Sequence, residues 1–158
     1  MYLTVKQQLK HLSKDEFLSL RELSHTAKNL YNQAVYNIRQ FYFQEKKYLN
    51  YQNNYAVLKA SENYKLLNSN MAQQILKEVD GSFKSFFGLL KKKNKGMYNA
   101  KVKLPSYLPK NSFTTLVIGF VRLNEDTLII PYSNSFKKNH KKISIKIPSI
   151  LLDKKPTT

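Results

Sequence analysis

The sequence predicts an α+β fold in which a helical first part is followed by short β-strands. Apolar residues recur at three- and four-residue steps through the first part, and from about Lys101 β-branched and aromatic runs broken by prolines take over. The charge changes at the same place: residues 1–90 carry 12 basic and 7 acidic side chains (+5), whereas residues 91–158 carry 15 and 3 (+12). Three segments follow: 1–12 with one strand, 13–95 helical, and 96–158 strand-rich.

The stretch Tyr2 to Leu9 reads as a short strand. Ser13-Lys14-Asp15-Glu16 fits a capping box, in which the Ser13 hydroxyl accepts from the Glu16 amide and the Glu16 carboxylate reaches back to the cap, so a helix starts there. Leu20, Leu23, Ala27, Leu30, Ala34, Ile38 and Phe41 place an apolar stripe along it to about Lys46. A second, short helix is expected over Asn53 to Ala60, and a third from about Asn70 to Lys92. The third buries Met71, Ile75, Val79, Phe83, Phe86 and Leu90, with Gly81 and Gly88 as weak points. Lys91-Lys92-Lys93-Asn94-Lys95-Gly96 has too much like charge to pack and reads as a solvated boundary. Beyond it, strands are expected at Phe113 to Val121, Thr127 to Ile130 and Lys141 to Pro148, with a hairpin turn at Asn124-Glu125-Asp126. The last of these alternates Lys or Ser with Ile, as a strand with one wet face does.

The formal charge of +17 and a pI near 9.9 point to a polyanionic partner, nucleic acid first and an anionic membrane surface second. No apolar run approaches the roughly 20 residues that cross a bilayer, and Met1 to Lys6 lacks a signal peptide's apolar stretch, so a cytoplasmic protein without a membrane partner is expected. Asp15, Glu16 and Glu22 also sit where a lipid-binding helix face would carry lysine. With no cysteine, thiolate metal sites and disulfides are excluded, and His11, His25 and His140 are too scattered to read as ligands. No glycine-rich phosphate loop or serine-nucleophile signature is present, and the carboxylates fall at helix starts, exposed faces and a turn. The chain is therefore expected to have no catalytic residues, no metal and no cofactor of its own. Positive charge comes from 24 lysines against three arginines, a composition suited to phosphates more than to guanine edges. Tyrosines interleaved with the lysines offer stacking faces, although each also suits the rim of a core.

Several blocks, in order, resemble the TnpB or OrfB-type transposases, transposon-encoded RNA-guided nucleases related to type V CRISPR effectors. They are Leu30-Tyr31-Asn32-Gln33-Ala34, Leu49-Asn50-Tyr51, and Ala72 to Asp80 followed by Ser82-Phe83-Lys84-Ser85-Phe86-Phe87. Lys101-Val102-Lys103-Leu104-Pro105, Ser112-Phe113 and Leu128-Ile129-Ile130-Pro131 continue the series. The resemblance implies an oligonucleotide-binding-like wedge β-barrel, interrupted by a three-helix recognition insertion, that grips a guide RNA and double-stranded target DNA. It implies that Tyr51, Tyr55, Asn70 and Gln73 approach the base edges of a short DNA motif. Lys77, Lys84, Lys91, Lys92, Lys93, Lys101 and Lys103 would hold phosphates, and Lys137, Lys138, Lys141, Lys142 and Lys146 would face RNA from the barrel. The family's RuvC-like nuclease domain and cysteine-bound zinc insertion, with their magnesium and zinc, have no counterpart in this sequence. The expected function is thus recognition without cleavage; the alternatives are one half of a split nuclease completed by a separate RuvC chain, or a stand-alone DNA- or RNA-binding regulator.

Overall fold

A computed structural model describes residues 4–148. Within them the architecture is α+β: four helices in the first part, then a small antiparallel sheet and one further helical turn. Helix α1 spans Lys14–Glu45, and both halves of the Ser13–Glu16 capping box are made. Its stripe is buried as expected: Leu23, Ala27, Leu30, Ala34 and Ile38 are at most 1% exposed. Helix α2 (Tyr51–Leu58) is capped by Asn50, whose side chain accepts from the Asn53 amide. Helix α3 (Glu62–Leu66), capped by Ser61, is a single turn that the sequence pattern does not reveal. Helix α4 (Ser69–Asn94) passes unbroken through Gly81 and Gly88. Each glycine costs a helix about 1 kcal/mol against alanine, but the buried face of Met71, Ile75, Val79, Phe83 and Phe86 outweighs that.

Tyr31 reaches Ser82, and the Tyr42 ring lies 6.5 and 5.1 Å from those of Phe86 and Phe87, so α4 runs beside α1 in the same direction. The helix α2 returns between these ends. Its Asn54, 2% exposed, is satisfied by donating to the Ala34 carbonyl and accepting from the Asn37 amide, both at 3.2 Å. Helix α4 ends at Gly96, whose φ of 73° is open to a residue without Cβ; the Gly96 amide bonds to Lys93 O and that of Met97 to Lys92 O. The lysine-rich stretch is therefore the solvated end of a helix, with Lys91, Lys92 and Lys93 in its last turn.

The β part is smaller than the sequence suggests. Strands β1 (Arg122–Asn124), β2 (Thr127–Ile129) and β3 (Ser144–Lys146) pair antiparallel in that order, forming an open sheet; no closed barrel exists among the described residues. The hairpin turn falls at Glu125-Asp126 as expected, with Glu125 at φ 53°. Strand β3 keeps its alternation, Ile143 and Ile145 inward and Lys142, Ser144 and Lys146 outward. A fifth helix, α5 (Asn134–Lys137), links β2 to β3.

Two expected strands are corrected. Of the first, Tyr2 and Leu3 lie outside the described residues, and residues 4–9 join no ladder; the segment is attached to β3 by the Gln7 side chain, which donates to Lys146 O at 2.9 Å. The second, Phe113 to Val121, is extended without a strand partner. Its alternation is real, with Thr114, Leu116 and Ile118 half-buried and Phe113, Thr115 and Val117 exposed. The inward set packs on helices instead of on a neighbouring strand, so period two here records burial and not sheet pairing.

This extended stretch belongs to a longer strap, residues 104–119, laid antiparallel along α1. Arg39 donates to Pro105 O at 3.4 Å, Asn32 exchanges two bonds with the Leu108 backbone at 2.9 and 2.8 Å, and Lys28 donates to Lys110 O at 2.8 Å. The Thr114 amide then reaches Ser24 O. One buried core runs through the helices and continues into Ile130, Tyr132, Phe136 and Ile143.

Candidate nucleic-acid interface

Three surfaces carry the sequence-predicted residues. On the first, Tyr51 and Tyr55 stack at 6.1 Å with 20° between their planes, Tyr55 meets Tyr64 edge-on at 5.9 Å, and the Tyr64 hydroxyl bonds to Gln73. Tyr51, Tyr55 and Gln73 are thus brought together through Tyr64. Burial pushes the hydroxyls of Tyr51 and Tyr64 above the usual phenol range, so these two rings stay neutral stacking faces near neutral pH. Asn70 points elsewhere: its carbonyl oxygen accepts from the Gly119 amide at 2.8 Å and ties the strap to the start of α4.

The second surface is the outer side of α4. Lys77, Lys84 and Lys91 recur every seven residues, one face of a helix, and all three are exposed. Lys84 is partly neutralised by Asp80 at 2.7 Å. Asp80 also accepts from the Tyr48 hydroxyl; burial first, and this bond second, push that phenol well up. Lys92 and Lys93 extend the stripe at the helix end, and Lys101 and Lys103 are exposed on the segment that leads into the strap.

The third surface was only partly legible. Lys137 on α5 and Lys142 before β3 line a cavity of about 600 Å³ together with Arg122, His140 and the ring of Phe120. Phe120 is 77% exposed, the most open large apolar side chain among the described residues. Through Asn68, Tyr132 and Lys137, this cavity shares walls with a second one of about 480 Å³ that adds Lys59 and Lys65. No carboxylate is among the residues lining either cavity. The two adjoining cavities are thus lined by Arg122, Lys142, Lys137, Lys59 and Lys65, with Phe120 in the wall of the first. His140 is fixed by stacking on Phe136 at 3.8 Å and by Glu22 at 2.9 Å. Lys138 and Lys141 are exposed outside the groove walls, and Lys146 is paired with Asp126 at 3.3 Å.

Sequence reasoning missed Phe120, Arg122 and His140. Phe120 falls within an expected strand, Arg122 is one of only three arginines, and His140 reads as a surface or packing residue. What joins them is the fold: β1, α5 and the approach to β3 converge from positions some 20 residues apart. Among the described residues no group of three or more His, Asp or Glu converges in a geometry that holds a metal, and no helix is long and apolar enough to cross a membrane. Four of the carboxylates have other partners: Glu16 the Ser13 cap, Asp80 Tyr48 and Lys84, Glu22 His140, and Asp126 Lys146. No protein-family model and no curated protein matches the chain.

Proposed function

We propose that the chain is a nucleic-acid-binding module that holds a polynucleotide strand in the groove between β1, α5 and the start of α4. The observation that carries this reading is the groove itself: Arg122, Lys137, Lys142, Lys59 and Lys65 line connected cavities free of carboxylates, with Phe120 presented to solvent. Cations spaced along a groove neutralise successive phosphates, and an exposed ring beside them stacks a base; this pairing is how single strands are held without sequence preference. The formal charge of +17 supplies the long-range attraction. Within this reading, the finer assignment is the guide-RNA- and target-DNA-recognition part of a TnpB-like nuclease. The family's wedge would then correspond to the small sheet, with residues 4–10 beside β3 and the strap leading into β1. The lysine stripe of α4 and the Tyr51–Tyr55–Gln73 cluster would meet the target duplex.

The test is a salt titration of binding to short RNA and DNA strands, followed by fluorescence anisotropy. Log affinity falls with log salt by about 0.7 per phosphate neutralised on a single strand, and each of Arg122→Ala, Lys137→Ala and Lys142→Ala lowers that slope by about 0.7. A slope near zero, or one unchanged by all three substitutions, refutes the groove. Sequencing of RNA that co-purifies with the protein separates the finer reading from general strand binding: a single defined species supports a guide, and random fragments exclude one.

A further inference from the structure

From Phe113 to Ile118 the strap is an extended chain with one face on the helices and the other in water. Among the described residues the backbone of this stretch makes one hydrogen bond, from the Thr114 amide to Ser24 O on α1 at 3.4 Å. The next amide to be held is that of Gly119, by Asn70. Successive peptide groups of an extended chain point to opposite sides. The side of Thr114 is turned to α1, so Phe113, Thr115 and Val117 direct their N–H and C=O groups the other way, where they meet no hydrogen-bond partner among the described residues. The strap then leads into β1, itself the edge of the sheet, with β2 as its ladder partner.

Open strand edges in soluble proteins are ordinarily guarded by lysine, proline, a bulge or a covering element. Here the side-chain guards are missing. Lysine occurs 24 times in the chain, yet none falls between Lys110 and Lys137, the longest such interval, and no proline falls between Pro109 and Pro131. On the water side stand Phe113, 46% exposed, and Val117, 47% exposed, with the exposed Thr115 between them. Unpaired backbone with apolar side chains at period two is what an added strand binds: main-chain bonds supply affinity, and alternate side chains supply specificity.

Charge decides which strand. The chain carries +17, so a second copy approaches against repulsion. At the Phe113 end, the Arg21 guanidinium lies 5.6 Å from the centre of the Phe113 ring, and Lys110 is exposed just before it. Neither cation is in an ion pair among the described residues. We propose that residues 113–118 bind, by strand addition, an extended segment of another polypeptide that is rich in β-branched residues and acidic at its end. Its side chains lie against Phe113 and Val117, and its terminal carboxylate meets Arg21 and Lys110. None of these residues lines the basic cavities, so the edge stands apart from the polynucleotide reading.

The test uses the whole chain, labelled with 15N, and the capped peptide Glu-Thr-Val-Thr-Val-Thr-Glu titrated to millimolar concentration. The backbone amides of Thr115 and Val117 move downfield and exchange more slowly with solvent, while that of the remote, exposed Asn139 stays in place. A peptide with proline at its centre, and one with lysine at both ends, each bind roughly tenfold more weakly. Val117→Lys places a guard on the edge, and Thr115→Pro removes an amide that has no partner to lose. Each abolishes the response at the other position, melts within a few degrees of the wild type and leaves the salt slope of RNA binding unchanged. No shift, an equal shift with the proline peptide, or a response that survives both substitutions overturns the proposal. Equal binding of the lysine-ended peptide overturns the acidic partner. A concentration-dependent dimer in sedimentation that Val117→Lys dissolves overturns it in favour of a second copy. Peptide binding by a chain that holds no RNA at any salt concentration removes the groove and leaves the edge standing.

Discussion

Asn32→Ala cuts the central tie between α1 and the strap. Asn32 gives one hydrogen bond to the Leu108 carbonyl and accepts one from the Leu108 amide, at 2.9 and 2.8 Å. This reproduces with a side chain the two-way exchange of an antiparallel strand pair. A neutral hydrogen bond contributes about 0.5–1.5 kcal/mol net, so the pair contributes about 1–3 kcal/mol. The upper half of that range applies if Leu108, itself half-buried, is left without water. Urea unfolding of Asn32→Ala against wild type reads the loss as a lower midpoint at unchanged slope. Each kcal/mol also lowers the melting temperature by about 2–4 °C in a chain of this size. Asn139→Ala, an exposed side chain with no recorded hydrogen bond, is the control and stays within about 0.5 kcal/mol. Hydrogen exchange localises the effect: the Leu108 amide loses protection in Asn32→Ala while α1 amides such as that of Ala34 keep theirs. An Asn32→Ala protein as stable as the control, with Leu108 still protected, refutes the strap's dependence on this residue.

Three other outcomes are expected. Burial pushes the Tyr132 hydroxyl from 10.0 up to about 12. A raised folded value means that stability is intact below the unfolded value and is lost as pH rises through the folded one, so Tyr132→Phe flattens the decline between about pH 10 and 12 seen in alkaline unfolding. Ser13→Ala removes the α1 cap at a cost of about 1 kcal/mol by chemical denaturation. The Ser13 amide and hydroxyl hold the Glu16 carboxyl below its ordinary value, so the box contributes fully above the unfolded carboxylate range and fades as pH falls through the lowered folded value. The wild type therefore loses its advantage over Glu16→Ala in acid, and an advantage constant with pH contradicts the box.

The helical part is legible in the sequence because its signals are local. Ser13 and Glu16 cap α1 and its stripe from Leu23 to Ile38 repeats without interruption, whereas α2, expected from Asn53, starts at Tyr51 because Asn50 caps it. The turn α3 is missed because five residues cannot display a helical period, and it exists through Ser61 and the packing of Tyr64. The strap is misread for a physical reason: Thr114, Leu116 and Ile118 alternate as a strand does, but the surface they cover is helical, and the pattern does not say which partner it meets. In the same way, the lysines of the groove are visible one by one, whereas their grouping depends on β1, α5 and the start of α4 coming together.

The strap is sewn to α1 by side chains that join positions 66 to 82 residues apart, and between Arg39 and Lys28 it forms no ladder of its own. Such remote stitches need α1 already standing, so the strap is expected to join late in folding and to lift early. Lifting it would part Tyr107 from the Arg39 guanidinium and slacken the Gly119 tether at the mouth of α4 together. The placing of Phe120, next in the chain after Gly119, thereby hangs on the same thread.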